Sequence, residues 1–153
     1  MHVDELYFWN QVDDSSRDGC WPWLGPAWTT GYGFYRKHRR DPSLAAHRVA
    51  WTLTHGPIPE GLLIDHTCFN RLCVKPDHLR LATAKQNAEN KSGARRDSRT
   101  GVRNVLRDGD AYIVRVTHNG KTRQYGRYRT LDEANSRAAE VRRQLFTHSR
   151  ENP

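Results

Sequence analysis

Apolar residues come in short bursts in this chain, and their spacing changes from segment to segment. Between residues 3 and 12, Leu6, Trp9 and Val12 recur at helical spacing and predict a short amphipathic helix. Residues 13–19 read as a turn. Two aromatic strands should follow, at 20–24 and 31–36, joined by a loop. Arg36-Lys37-His38-Arg39-Arg40 reads as a basic tip. A helix is expected from about Pro42-Ser43 to Thr54, with Ala46, Val49, Ala50 and Leu53 on its apolar face and Gly56-Pro57 at its end. Leu62-Leu63-Ile64 predicts a short buried strand, and residues 79–82 its return. Thr83 can cap a helix that begins near Ala84 and carries Asn87 on its first turn.

The pattern changes after residue 91. Residues 92–100 have a single alanine as their apolar content and read as a linker. Three strands are expected at 101–106, 111–118 and 121–128, with tight-turn signals at Asp108-Gly109 and Asn119-Gly120. A helix from about 131 to 146 carries Ala134, Ala138, Val141 and Leu145 on one face. The expected class is α+β, in two domains. The first covers residues 1–91 and the second residues 101–147, with a linker at 92–100 and a tail at 148–153.

Composition sharpens this picture. Of 153 residues, 36% are hydrophobic, and mean hydropathy is -0.91. So small an apolar supply, split over two domains, calls for a metal or a partner as reinforcement. There are three cysteines, an odd number at tight spacing, which favours metal-bound thiolates over a disulfide framework. The N-terminus lacks a basic region followed by an apolar stretch, and no segment is long enough to span a membrane. The expectation is a cytoplasmic protein without a membrane partner. The net charge of +8 is unevenly distributed. Residues 1–90 hold equal numbers of acids and bases, whereas residues 91–153 hold 15 Lys and Arg against 7 Asp and Glu. A basic second half behind a neutral first half fits a module that grips a nucleic-acid backbone.

The candidate chemistry is concentrated between Asp65 and Asn87. Cys68, Cys73 and His78 stand at C-x4-C-x4-H spacing, with donors that suit structural zinc. Cys20, the remaining cysteine, could supply the fourth ligand and staple the first strand to the motif loop. His66 is too near Cys68 to share that ion easily. An imidazole with a pKa near ~6.5 can instead take a proton from water. The Asn87 carboxamide oxygen can serve a hard cation.

Taken together, H-x-C-x4-C-x4-H-x8-N closely resembles the His-Cys box branch of the HNH, or ββα-metal, homing endonucleases. Gly19-Cys20-Trp21, Gly31-Tyr32-Gly33, Ala46-His47-Arg48-Val49-Ala50 and Gly56-Pro57-Ile58-Pro59-Glu60-Gly61 also resemble phage-borne HNH enzymes. The likeness covers roughly residues 7–91. It implies a zinc-stabilised ββα-metal nuclease domain with His66 as general base and Cys20, Cys68, Cys73 and His78 as zinc ligands. It further implies Asn87 as a ligand of catalytic magnesium, or of another divalent cation. Asp65 precedes His66 as in many HNH enzymes, where that aspartate is a second magnesium ligand, so Asp65 and Asn87 are expected to share the ion. Arg36 is the candidate for stabilising charge on the phosphate, and Arg48 is another.

The second half resembles the Apetala, or ethylene-response-factor, DNA-binding domain. The matching residues are Gly101-Val102-Arg103, Tyr112 to Val116, Gly120-Lys121, Tyr125 to Tyr128 and Thr130 to Ala134. The likeness covers about residues 98–146. It implies a small antiparallel three-stranded sheet with one helix, bound to double-stranded DNA through arginines. Arg103, Arg107, Arg115, Lys121, Arg123 and Arg127 are the candidate contacts. Gln124 stands where that family usually has tryptophan. The expected whole is a site-directed endonuclease, monomeric or homodimeric, in the host cytoplasm if phage-encoded. The alternative is a zinc-stabilised DNA-binding regulator without catalysis.

Overall fold

Phe8 is the residue around which the first half of the chain packs. A computed structural model describes residues 3–149. Helix α1 (Glu5–Trp9) is capped by Asp4, whose side chain accepts from the Tyr7 amide. Its inward residue is Phe8, fully buried and stacked on Trp23 with ring centroids 5.0 Å apart. Leu6, expected on the buried face, is exposed, and Trp9 and Val12 are only partly buried. A helix this short seats one large ring in the aromatic core.

The two aromatic segments do not pair along their length. Residues 20–24 touch their neighbours through isolated bridges, Val12 to Trp23 and Pro22 to Cys73. Strand β1 (Phe34–Tyr35) pairs with β2 (Leu44–Ala45). That pairing delays α2 (Ala46–His55), which starts later than its apolar spacing suggests. The inward face of α2 carries Ala46, Val49 and Ala50 as expected, and His47 with them. Strands β3 (Leu63–His66) and β4 (Leu79–Ala82) form an antiparallel hairpin in which Asp65 faces Arg80 and His66 faces Leu79. A single 3-10 turn, Pro76–His78, leads into β4, and α3 (Ala84–Glu89) follows it. The order β3, β4, α3 is consistent with a ββα nuclease fold.

The second sheet has order β5-β6-β7, from β5 (Val105–Asp108), β6 (Ala111–His118) and β7 (Lys121–Tyr128). The first of these begins later than expected, because Gly101 and Asn104 both take positive φ and turn the chain. Asn119 and Gly120, at φ 50° and 71°, close the β6–β7 hairpin in the left-handed conformations such a turn requires. Helix α4 (Leu131–Leu145) opens with a capping box between Thr130 and Glu133. It lays Ala134, Ala138 and Val141 on Val105, Val114 and Val116 of the sheet.

The chain divides into two compact units, one through Ala84 and one from Lys85. Nearly all of α3 therefore groups with the second unit. There Gln86 donates to Thr147 Oγ1 at 3.3 Å, and Glu89 accepts from the Thr147 amide at 3.3 Å. The expected tail at 148–153 lies mostly outside the described residues. Among the described residues, no helix is long and apolar enough to cross a membrane.

Candidate metal centre and active site

The loop between β3 and the 3-10 turn is folded by its own backbone. Phe69 takes φ 60°, the Asn70 carboxamide accepts from the Leu72 amide at 3.0 Å, and the Cys73 amide donates to the Asn70 carbonyl at 3.1 Å. The 3-10 turn then returns His78 toward the two loop cysteines. Cys20 arrives from far along the chain, held by backbone bonds from Trp23 N to Leu72 O at 2.8 Å and from Val74 N to Trp21 O at 2.9 Å. The ligand atoms of Cys20, Cys68, Cys73 and His78 all lie within 4.8 Å of one another. Cys73 Sγ is 3.6 Å from His78 Nδ1. A tetrahedral zinc with ordinary Zn–S and Zn–N bonds would put such a pair about 3.6 Å apart. The donor set and its spacing thus fit a metal ion bound by three sulfurs and Nδ1 of His78. The Cys68 and Cys73 side chains share a hydrogen bond. The Cys68 hydrogen bond first, and the Lys75 and Trp21 amides after it, hold the Cys73 thiol well below its ordinary range. The same sharing, aided by burial, pushes Cys68 up.

His66 closes β3 and is buried. Its Nε2 lies 3.0 Å from the Cys73 carbonyl oxygen. A carbonyl only accepts, so Nε2 carries the proton and the neutral ring has its basic lone pair on Nδ1. Burial holds this imidazole below the ordinary histidine range, outweighing the Cys73 carbonyl, which acts the other way.

His47 also belongs to this neighbourhood. It comes from the first turn of α2, and its ring centroid is 4.9 Å from that of His66 and 5.4 Å from Tyr32. It is buried, and its Nδ1 has no hydrogen-bond partner among the described residues. Burial, then the nearness of His66 and Arg48, pushes its pKa down to about 3. Sequence reading gave His47 no role. The available signal was an imidazole on the apolar stripe of α2.

Asp65 is buried beside His66 in sequence, and its Oδ2 accepts from Arg80 Nε at 3.0 Å. Arg80, also absent from the sequence-based site, comes with the hairpin register. Arg36 is exposed just past β1, its guanidinium 5.6 Å from the centre of the Phe34 ring. Arg48 is exposed on α2. Asn87 is exposed on α3, within the second unit.

In the second unit, Arg115 is exposed on β6, and Lys121, Arg123 and Arg127 are exposed on β7. A register shift between Ile113 and Arg115 interrupts simple alternation along β7. Arg127 pairs with Asp108 at 3.0 Å. Arg107 Nε donates to the Gly109 carbonyl at 3.2 Å. Arg103 sits in the turn before β5 rather than on a strand, 5.3 Å over the Phe146 ring and bonded to the Lys91 carbonyl. A groove of about 880 Å³ runs beside this sheet, lined in part by Lys91, Arg95, Arg99, Arg103, Arg107 and Arg115. The expected linker residues therefore supply part of its wall.

A family model described as HNH endonuclease matches residues 44–89. Protein 3.8 of Escherichia phage T7 is 32% identical over 114 residues, covering 73% of this chain and 88% of that protein. The chain carries an HNH endonuclease domain. An uncharacterized HNH endonuclease, L560 of Acanthamoeba polyphaga mimivirus, is 31% identical over 116 residues, 74% of this chain and 60% of its own. Protein 7.7 of phage T7 is 36% identical over 72 residues, 47% of this chain. The chain spans about half the length of Protein 7.7 and of Protein 2.8 of the same phage, 54% and 47%. No solved structure matches it. The matched HNH segment contains His47, Asp65, His66, Cys68, Cys73, His78 and Asn87. Cys20 and most of the second unit lie outside it.

Proposed function

We propose that this HNH chain is a site-directed, homing-type DNA endonuclease of His-Cys box character, with a C-terminal Apetala-like domain that locates the site. The observation that carries the reading is the double use of Cys73. Its sulfur belongs to the ligand cluster, and its carbonyl accepts from His66 Nε2. A structural zinc on Cys20, Cys68, Cys73 and His78 would thereby fix the tautomer and orientation of the base.

His66 then takes a proton from water through Nδ1. Its position below the ordinary histidine range keeps it neutral, and so competent, at neutral pH. The Asp65 carboxylate and Asn87 carboxamide are hard oxygen donors that suit magnesium or a similar divalent cation. When bound, that ion would neutralise the phosphate and the departing 3′ oxygen. Arg80 donates to one Asp65 oxygen and so orients the carboxylate. Arg36 and Arg48 are candidates for countering charge on the phosphate. In the C-terminal unit, the basic groove supports a grip on duplex DNA through Arg103, Arg107 and Arg115, with Lys121, Arg123 and Arg127 on the neighbouring strand. The protein acts in the cytoplasm, as a monomer or homodimer.

Plasmid nicking in magnesium, comparing the parent with His66→Ala, tests the reading. Loss of nicking in the variant is expected. Equal cleavage by both removes His66 from the mechanism, and DNA binding without any cleavage returns the regulator.

A further inference from the structure

Residues 26–36 form a hairpin whose two faces differ sharply. The Trp28 amide donates to the Tyr32 carbonyl at 2.9 Å, and Ala27 bridges Gly33. The inner face is packed shut. A Cβ on Gly33 would meet Trp23 Cδ1 at 2.5 Å, so the chain must be bare there, and Tyr35 beyond it is buried. Alternation then turns Tyr32, Phe34 and Arg36 outward. On that outer side Trp28, 37% exposed, stacks on Phe34 with centroids 5.2 Å apart. Arg36 lies over Phe34, and Arg71 lies 5.3 Å over Tyr32 while donating to the Thr30 carbonyl at 2.7 Å. Tyr32 in turn is 6.0 Å from His66 and 5.4 Å from His47. A strip of aromatic faces capped by guanidinium groups thus runs outward from the candidate base. It leads to the exposed basic tip of Arg39 and Arg40.

We propose that this strip, Trp28, Tyr32 and Phe34 with Arg36 and Arg71, is a stacking platform for unpaired bases flanking the scissile phosphate. The proposal rests on the endonuclease reading for its position relative to that phosphate. Aromatic faces accept any base, and guanidinium groups beside them track the phosphates. Three rings and two guanidinium groups gathered on one side suit a nucleic-acid strand, which offers bases to the rings and phosphates to the cations. The platform gives the first unit a footprint on DNA that is indifferent to sequence and separate from the basic sheet.

The test uses the full chain carrying His66→Ala, so that the probe is not cut. The probes are a short single-stranded oligonucleotide bearing 5-iodouracil and the matching duplex. Ultraviolet crosslinks to the single strand should map to residues 26–36. Trp28→Ala should weaken single-strand binding about tenfold, whereas Trp28→Phe should retain it. If Trp28→Ala fails to fold, Arg36→Gln with Arg71→Gln provides the same comparison on exposed side chains. Crosslinks confined to residues 101–128, or undiminished single-strand binding by these variants, overturn the platform. If crosslinks land on 26–36 but the parent never nicks a plasmid, the platform stands and the endonuclease reading fails. If the parent nicks but the strip takes no crosslink, the platform alone falls.

Discussion

Cys73 turns its sulfur toward three other ligands and its carbonyl toward His66, so damage to the cluster should reach the chemistry. Cys68→Ala is expected to abolish zinc binding and remove the first unit's melting transition, since metal binding free energy becomes folding free energy in such sites. Metal analysis and a thermal melt would check this; a parent-like melt would remove the structural role. Asn87→Ala should keep zinc and fold while slowing cleavage by more than about tenfold. His47 makes a separate prediction. Its folded pKa, about 3, lies below the unfolded value of ~6.5. The unfolded chain therefore binds the extra proton between those values, so stability is intact above about pH 6.5 and falls as pH drops toward 3. The full effect is of the order of 5 kcal/mol. Melts of the parent should lose stability between pH 7 and pH 5 more steeply than melts of His47→Gln; parallel curves would contradict this.

Local rules decided which elements could be read in advance. Strands β6 and β7 and helix α4 fall where Asn119-Gly120 and the apolar spacing of Ala134, Ala138, Val141 and Leu145 put them, because each is fixed by residues in or beside its own span. Thr130→Ala should cost the second unit about 1 kcal/mol in denaturant unfolding, through loss of the cap. Gly120→Ala should cost a similar amount, since φ 71° is strained for any residue with a Cβ. The aromatic segments near Trp21 and Trp23 were less legible. Their partners, Val12 and Cys73, are set by tertiary contact rather than by local pattern. The face of α1 was misread because Phe8 finds Trp23 only in the fold. The ligand cluster was legible because sulfur is scarce here and its spacing is informative. His47 was not, since a histidine on an apolar stripe looks like any core residue. Nor does spacing reveal that α3 is bonded to Thr147, near the far end of the described chain.

The excess charge, the basic groove and the exposed arginines of β6 and β7 all fall in the unit that begins at Lys85. Binding to duplex DNA should therefore weaken steeply with salt. Arg115→Ala should reduce the slope of log affinity against log salt by about 1 if that side chain meets a phosphate. Fluorescence anisotropy across a salt series would measure it, and an unchanged slope would exclude the contact. The long reach of Cys20 to the cluster carries one more consequence. If the cluster holds zinc as proposed, a newly made chain that has not captured the ion would lack both a finished head and a poised base, and should be harmless to DNA. Zinc supply in the host would then set the moment at which a latent polypeptide becomes a cutting one.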